Sequence, residues 1–475
     1  MKRAIRWVLL LYLTVLASSV GRAQSLDPTK QLARDIFKQL VEINTTDSVG
    51  NVTTAAEAMA ARLRSGGFSE ADLHVAGPNA RKKSLVVRFR GTGKRKPILF
   101  IGHLDVVEAL RSDWTTDPFE FIEKDGFFYG RGTEDMKEGD AILVTNFIRL
   151  RKEGFLPDRD LILALTADEE GGSSNGVDWL LKQHPDWIDA EYCINLDGGE
   201  FEMDHGKRTL AGIQASEKVY VDFQFESLNP GGHSSVPTPD NAIYHLAGAL
   251  VRLQSFSFPL HMNEITRNYF ERNAAFMTGQ VSADMKAVAK DPPDSAAVQR
   301  LSESPYFNSL LHTTCVATML SGGHAPNALP QTARANVNCR IFPGEDPQDV
   351  LRTLERIAND PKVKISIVPQ IGPDGKVAPA VPVPPSPLLP EVITAMEQTL
   401  GVAWPGVPWV ATMSTGATDG RITRIAGIPT YGISCMFFDV NDDRAHGKDE
   451  RVGVQDFYDG VDFNYKLIRA LSTPQ

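Results

Sequence analysis

Cysteine is scarce in this chain, and no two cysteines are spaced as a pair. There are four of them, and no C-x-x-C motif is present. Each lies in an apolar or strand-like segment, and a chain of this size does not need disulfides to build a stable core. We therefore predict buried free thiols at Cys193, Cys315, Cys339 and Cys435.

An excess of positive charge is also lacking. The chain has 49 Lys and Arg residues against 59 Asp and Glu residues, which gives a formal net charge of -10. Nucleic acids and anionic membrane surfaces are bound by basic patches, so we expect neither as a partner. Beyond the N-terminal region, no apolar run approaches the length of a transmembrane helix, and we expect no integral membrane association.

Residues 1–23 have the pattern of a secretory signal peptide. A cationic start with Lys2, Arg3 and Arg6 precedes an apolar stretch over residues 7–16, and small residues follow it up to Ala23. The stretch is too short for a spanning helix, although an uncleaved membrane anchor is the alternative interpretation. We expect the protein to be exported, to the periplasm or the medium.

At 475 residues the chain is too long for one ordinary core, so two domains are expected. Up to residue 196, strand-like apolar runs alternate with segments of helical periodicity, which predicts an α/β fold with a mostly parallel sheet. The predicted helices cover residues 32–41, 55–63, 141–150 and 177–182, and the predicted strands cover residues 84–89, 97–101, 161–166 and 192–196.

The pattern changes near Glu217, where alternating apolar residues mark a strand with one buried face. The elements that follow have the order β-α-β-β-α-β, typical of a compact ferredoxin-like unit. They are a helix at 241–253, strands at 313–318 and 335–342, a helix near 350–357 and a strand at 363–368. Residues 255–312 form a long insertion whose position the sequence does not indicate.

A proline-rich stretch, residues 377–390, predicts an extended connector. After it, a helix over 389–400 and a buried strand over 429–438 indicate a return to the first domain. We therefore predict a catalytic domain built from residues 24–215 and 373–475, with residues 216–372 inserted into it as a separate domain.

Ionisable residues of metal-ligand type follow three of the predicted buried strands. His103 and Asp105 follow the first, the tandem Glu169-Glu170 follows the second, and Asp197 follows the third. Ligands and catalytic groups gather beyond the carboxyl ends of strands in open α/β sheets. A dinuclear zinc hydrolase needs histidine nitrogens, carboxylates and one carboxylate that bridges two metals, and Asp135 and His446 can complete that set.

The spacing of these residues suggests separate roles. Asp105 lies two residues beyond His103, so on an extended segment it can accept the second imidazole N–H. Glu169 and Glu170 cannot easily bind the same metal, so one can be a ligand and the other a general base.

Two alternatives remain. The glutamate pair can be an ordinary solvated pair, and the chain can be a serine hydrolase. The segment Gly172–Gly176 fits G-x-S-x-G, but the serine comes too long after the strand for a nucleophile elbow.

Four segments together resemble the M20 family of metallopeptidases, which includes aminoacylases, dipeptidases, glutamate carboxypeptidases and succinyl-diaminopimelate desuccinylases. They are His103–Asp105, Gly130–Lys137, Asp168–Gly171 and Asn195–Gly199. The resemblance implies two Zn²⁺ ions per chain, with Co²⁺ or Mn²⁺ as alternatives, and a bridging water that they activate. It implies metal ligands at His103, Asp135, Glu170, Asp197 and His446, with Asp135 bridging, Glu169 as general base and Asp105 activating His103.

The inserted domain also carries residues similar to those of the family. His233 matches a histidine that steadies the substrate carbonyl, commonly across a dimer, and Asn327 and Arg340 match positions that hold a substrate carboxylate. Gly416 and Thr418 lie in a loop similar to one that contacts substrate. The resemblance further implies homodimerisation through the inserted domain. A solvated His233 and an ordinary strand-face Arg340 are the alternative interpretations.

Together these features predict a zinc-dependent hydrolase of amide bonds in small substrates with a free carboxylate. The classes in question are carboxypeptidase, dipeptidase and N-acyl-amino-acid hydrolase, acting on small peptides or N-acyl amino acids. A non-catalytic binding or scaffold protein of the same fold is the alternative. Loss of Glu169 or of a ligand would have favoured it, and neither is lost.

Overall fold

The protein structure is a computed structural model that describes residues 26–371 and 377–473. The predicted signal peptide, residues 1–23, lies outside the described residues. Within the described part of the chain, no helix combines the length and apolar character that crossing a membrane requires.

The secondary structure alternates between the two types along most of the chain. The helices are α1 (Pro28–Val41), α2 (Val52–Ser65), α3 (Lys137–Lys152), α4 (Gly176–Gln183), α5 (Pro185–Ile188), α6 (Ala242–Gln254), α7 (Glu264–Asn273), α8 (Gly279–Val288), α9 (Ser295–Leu301), α10 (Pro305–Leu311), α11 (Pro347–Ala358), α12 (Pro390–Ala403), α13 (Gly420–Ile425) and α14 (Val454–Ser472). The strands are β1 (Leu73–Ala76), β2 (Ser84–Phe89), β3 (Ile98–His103), β4 (Ile122–Lys124), β5 (Phe127–Tyr129), β6 (Leu161–Thr166), β7 (Tyr192–Asn195), β8 (Phe201–Asp204), β9 (Lys207–Glu217), β10 (Val219–Leu228), β11 (Gly232–His233), β12 (Thr314–Gly322), β13 (Ala328–Leu329), β14 (Thr332–Ile341), β15 (Val363–Ile367), β16 (Gln370–Ile371), β17 (Val377–Ala378), β18 (Trp409–Ser414), β19 (Thr430–Gly432), β20 (Phe438–Asp439) and β21 (Arg451–Gly453).

A large central sheet carries the strands whose ends were predicted to hold the site. Its order is β1-β2-β6-β3-β7-β19-β9-β8-β20, with β18 paired to β9. Strand β3 lies between β6 and β7 and runs parallel to both. Every residue of these three strands is buried, which explains their continuous apolar sequences. The predicted α/β fold with a mostly parallel sheet is confirmed.

Helices cover both faces of the central sheet. Ile98 and Phe100 of β3 pack in the larger core with residues of α1, α2, α3, α12 and α14. Leu99 and Ile101 point to the opposite face and pack in a smaller core with residues of α4 and α5. Because helices cover both faces of the sheet, the carboxyl ends of its strands are the part that stays open.

A second, antiparallel sheet has the order β12-β14-β10-β15. In chain order its strands and two helices run β10-α6-β12-β14-α11-β15, with a helical segment between α6 and β12. Leu246 of α6 and Leu354 of α11 pack with Phe223 and Val337 of the sheet. Arg340 and Tyr220 are paired residues on the opposite face, which these helices do not cover.

The insertion that the sequence left without a position forms helices α7 to α10. Phe270 and Met285 of these helices pack with Val410 and Met413 of β18, in the catalytic part of the chain. The Asn268 side-chain oxygen accepts the N–H of Ala411 at 3.0 Å. Among the described residues, β18 is paired with β9 alone, so its other edge is open. The insertion covers β18 and protects that edge from pairing with another chain.

The thiol prediction is wrong for two of the four cysteines. Cys315 of β12 and Cys339 of β14 are directly opposite each other and form a disulfide, with their Cα atoms 4.1 Å apart. Strand pairing brings together residues 24 positions apart, which no local sequence pattern shows. Cys193 and Cys435 are buried free thiols, as predicted.

The single strand predicted over residues 429–438 is also incorrect. The structure has the short strands β19 and β20 there, with irregular backbone between them. Cys435 lies in that interval with φ of 66°, a left-handed conformation that a continuous β-ladder cannot contain. The apolar run reflects burial of the segment and not extended strand geometry.

Candidate metal centre

The predicted ligands come from five chain segments that meet at the carboxyl edge of the central sheet. His103 ends β3, Glu170 follows β6 and Asp197 follows β7. Because β3 lies between the other two strands, their three ends are neighbours. Asp135 lies in the turn before α3, and His446 lies in the loop between β20 and β21.

The Asp135 carboxylate lies between the two histidines. Its Oδ1 is 3.0 Å from Nε2 of His103, and its Oδ2 is 3.0 Å from Nε2 of His446. Nε2 of His446 is also 3.0 Å from Oε1 of Glu170, and Nε2 of His103 is 3.9 Å from Oδ2 of Asp197. These residues form two ligand groups, His103–Asp135–Asp197 and Asp135–Glu170–His446. In each group the three possible ligand atoms lie within 4.8 Å of one another, and Asp135 belongs to both groups.

The electrostatics of this cluster fit divalent cations. Oδ2 of Asp197 is buried without a hydrogen-bond partner among the described residues, and burial raises the pKa of Asp197 to about 8. Burial, together with the charge of Asp197, raises the pKa of Glu169. Buried carboxylates this close cannot all stay ionised unless a cation compensates them, and a bound divalent metal would do so. Imidazole with carboxylate ligands suits zinc and also cobalt or manganese.

The adjacent glutamates point to different surroundings. Oε1 of Glu170 lies beside His446, within one ligand group. The Glu169 carboxylate has no hydrogen bond or ion pair with any described residue. A free carboxylate beside a ligand group is what a general base needs, so the geometry is compatible with the predicted division of roles.

Asp105 supports the site through different atoms from those predicted. Nδ1 of His103 is 3.1 Å from the backbone oxygen of Asp105, whereas the Asp105 carboxylate is 3.8 Å away. That carboxylate instead accepts the backbone N–H groups of Glu169 and Glu170, at 3.2 and 3.1 Å. The main-chain carbonyl can thus set the imidazole tautomer, while the side chain holds the tandem glutamates. Burial raises the pKa of Asp105 to about 6.

Comparison with known proteins agrees with this geometry. The model of peptidase family M20/M25/M40 matches residues 99–470. The chain belongs to this family. It is a metallo-hydrolase that acts on amide bonds, and the alternative of a non-catalytic protein finds no support.

Relatives of this M20 hydrolase include two curated proteins. Probable carboxypeptidase S-like 2 of Dictyostelium discoideum is 29% identical over 405 residues, which cover 81% of this chain and 74% of the relative. The human N-fatty-acyl-amino acid synthase/hydrolase PM20D1 is 27% identical over 401 residues, covering 80% and 75%. Among solved structures, the M20 family metallo-carboxypeptidase Sso-CP2 of Sulfolobus solfataricus aligns with a TM-score of 0.68. It has 16% sequence identity and covers 94% of this chain and 99% of that one, which shows the shared fold.

The predicted substrate residues of this M20 hydrolase form two separate sets. His233 and Asn327 are exposed neighbours, because β11 pairs with β13 and Ser234 donates its N–H to the Asn327 oxygen at 3.1 Å. Nδ1 of His233 is bound by Ser235, and neither His233 nor Asn327 bonds to a residue of the two ligand groups.

The second set joins Arg340 to the predicted substrate loop. The Arg340 guanidinium lies 4.8 Å from the ring centre of Tyr220, and its Nη1 is 3.4 Å from the Thr415 oxygen. Gly416 donates its N–H to Ser414 Oγ at 3.0 Å. The N–H and hydroxyl of Thr418 both donate to the buried Glu217 carboxylate, at 3.0 and 3.1 Å. Glu217 therefore fixes the loop that Arg340 touches.

Several buried polar residues near the centre were missed from the sequence. Asp419 is buried and accepts hydrogen bonds from Asn175 at 2.6 Å and Thr166 at 3.0 Å. It is the last residue of the predicted substrate loop, residues 415–419, in which only Gly416 and Thr418 were predicted as site residues. Lys82 pairs with Asp168 next to the tandem glutamates, and Glu450 binds the turn that holds Asp135. No local pattern marks either of these two.

We predict that Asp105→Asn lowers activity and metal content, because an amide has one acceptor oxygen and cannot hold both glutamate N–H groups. Loss of such a supporting contact typically costs roughly 10–100-fold in activity or metal affinity. The measurements are kcat and bound metal by elemental analysis. The control is Asp160→Asn, since Asp160 accepts the N–H of Gly91 at 2.8 Å near the opposite end of β6. Equal losses in both variants would contradict the assigned role.

Proposed function

We propose that this protein is a zinc-dependent hydrolase that releases an amino acid from small substrates with a free carboxylate. The observation that carries the proposal is that two ligand groups share Asp135. The Glu169 carboxylate next to them makes no hydrogen bond or ion pair in the part of the chain that the structure describes. Two bound metals would supply Lewis acidity and a lowered water pKa at this position. Glu169 takes a proton from the attacking water and passes it to the leaving amine. His233, once closure of the inserted domain brings it near, steadies the oxyanion.

We propose Arg340 as the group that binds the substrate carboxylate. Asn327 lies near the opposite end of β14, so its predicted part in that contact requires the second chain of the homodimer proposed below. A guanidinium binds a carboxylate through two parallel hydrogen bonds and so selects for its shape as well as its charge. The Arg340 guanidinium has no carboxylate within ion-pair distance among the described residues. Its contacts with Tyr220 and the Thr415 oxygen restrict its orientation while leaving it available to a ligand.

A cavity with polar residues at the Glu169 end and several apolar walls favours N-acyl amino acids among the three substrate classes. The cavity has a volume of about 650 Å³ and reaches Glu169. Its walls include Ile367, Val381 and Ile422, and most of its exposed lining is apolar, as in sites for apolar ligands. The similarity to an N-fatty-acyl-amino acid synthase/hydrolase points in the same direction. We therefore place the acyl group of the substrate in this cavity.

We also propose a homodimer through the inserted domain. Strand β12 is an edge of its sheet, and Val316, Met319 and Leu320 on it are 60%, 70% and 73% exposed. Tyr244 on the adjacent helix α6 is exposed as well. A long apolar edge strand invites pairing with another chain, and a second copy offers an identical edge.

Export remains part of the proposal. The Cys315–Cys339 disulfide supports it, because disulfides persist in oxidising compartments outside the cytosol. N-terminal sequencing of the mature protein tests it.

We predict that Glu169→Gln keeps two metals per chain but loses most of the turnover. The amide cannot accept the proton, and a positioned general base contributes roughly 10²–10⁴-fold. Glu170→Gln serves as the matched variant and should lose metal, because it removes a ligand beside His446. Elemental analysis and steady-state rates distinguish the two. Turnover near that of the unmodified protein in Glu169→Gln would show that another group is the base.

We predict that an N-acyl amino acid is hydrolysed roughly 10²-fold or more faster than its carboxamide, because the amide leaves Arg340 without its charged partner. Arg340→Ala should remove most of this preference with the metals still bound, and Arg340→Lys should restore little of it. The control is Arg334→Ala, on the same face of β14, where Arg334 pairs with Glu226. Equal rates on acid and amide by the unmodified enzyme would refute this carboxylate site.

We predict a solution mass of about two chains, and we expect Leu320→Glu to give monomers by placing a charge on the paired edge. Light scattering after size-exclusion chromatography measures both. Val402→Glu is the control, because Val402 is equally exposed, at 71%, on the catalytic part of the chain. A monomeric unmodified protein would rule out this interface.

A further inference from the structure

A buried ion pair lies beside the candidate metal centre. Nη1 of Arg131 is 2.6 Å from Oε2 of Glu450, and the two side chains are 3% and 0% exposed. The guanidinium also lies 4.9 Å from the ring centre of Trp114. Removing two charges from water is costly, so such a pair survives only when further hydrogen bonds satisfy both groups.

The Glu450 carboxylate accepts hydrogen bonds from the backbone of the turn that holds Asp135. It accepts the backbone N–H groups of Gly132, Glu134 and Asp135 at 3.1, 2.6 and 3.2 Å. The turn has few other ways to bind these groups, because Gly132 takes a left-handed φ of 85° that interrupts regular structure. Glu450 therefore sets the path of the main chain into the bridging ligand.

Arg131 connects the same turn to the loop that holds the other histidine. Its Nη2 donates to the backbone oxygens of Gly447 at 2.8 Å and His446 at 3.4 Å. The N–H of Gly130 donates in return to the backbone oxygen of Glu450 at 3.1 Å. Two segments more than 300 positions apart in the chain are thus joined next to Asp135 and His446.

These contacts act unequally on the two ligand groups. The group of Asp135, Glu170 and His446 has two of its three residues on the joined segments. The other group has only Asp135 on them, since His103 and Asp197 are held by strand ends. Residues that orient ligands change metal affinity without touching the metal.

We propose that Arg131 and Glu450 are positioning residues that set the metal affinity of the Asp135–Glu170–His446 group in preference to the other group. The proposal rests on the dinuclear site proposed above. Neither side chain contacts a ligand atom of the centre. They hold the main chains of Asp135 and His446 in fixed relative positions, so that the side chains of these two residues meet.

The test is the zinc affinity of Glu450→Gln, measured by competition with a chromophoric chelator. The amide keeps the shape of the side chain but has one acceptor oxygen and no charge. We expect one of the two zinc equivalents to bind roughly 10–100-fold more weakly, and the other to change much less. Asp284→Asn is the control, because Asp284 of α8 pairs with Arg300 at 2.9 Å, outside both ligand groups. It should leave both affinities unchanged.

A second variant keeps the test decisive if Glu450→Gln does not fold. Arg131→Lys retains the charge but cannot reach Glu450, Gly447 and the His446 oxygen together, so the same selective loss is expected. Equal weakening of both zinc equivalents, or no weakening, in a folded variant would overturn the proposal. An unmodified protein that binds fewer than two metals would instead refute the proposed function.

Discussion

The carboxylates of Asp135, Glu169 and Asp197 lie close together and largely buried at one edge of the central sheet. Within the described ranges Oδ2 of Asp197 has no hydrogen-bond partner, and burial raises the pKa of this residue to about 8. Concentrating acids in this way is unfavourable for the protein alone, and the geometry becomes reasonable when divalent cations supply the missing charge. The ends of β3, β6 and β7 and the turn before α3 hold these acids in place.

Three buried acids outside the ligand groups do much of that holding, and each acts on main-chain N–H groups. Asp105 accepts from Glu169 and Glu170, and Glu450 accepts from the turn before α3. Glu217 accepts from Thr418 in the substrate loop. A carboxylate that binds backbone fixes a whole segment, so the side chains on it are placed together. These three carboxylates therefore position the segments that carry the candidate ligands and the substrate loop.

In the proposed function, the inserted domain supplies substrate contacts to a centre whose candidate ligands all lie outside it. Arg340 lies on the sheet face that its own helices leave open, and the buried Lys218 at the junction of β9 and β10 binds the Arg340 backbone oxygen at 3.0 Å. His233 and Asn327 lie together where β11 pairs with β13, and they make no hydrogen bond to the candidate ligands. Their proposed roles therefore require either motion about that junction or residues from the second chain of the proposed homodimer, and for Asn327 beside Arg340 only the second chain serves.

The sequence alone determined four strands of the central sheet, β2, β3, β6 and β7, and it predicted most of the candidate ligands at their ends. Buried parallel strands are continuous apolar runs, and His103, Glu170 and Asp197 follow them directly, so local pattern was sufficient. His446 required the family resemblance, because its own segment has the composition of a surface turn. The tertiary structure decided the Cys315–Cys339 disulfide, the break in the strand at Cys435 and the contacts of Asp105. It also decided the pairing of Arg131 with Glu450. The disulfide and that ion pair join residues distant in the chain, Asp105 depends on how two strand ends meet, and local sequence periodicity does not record such contacts.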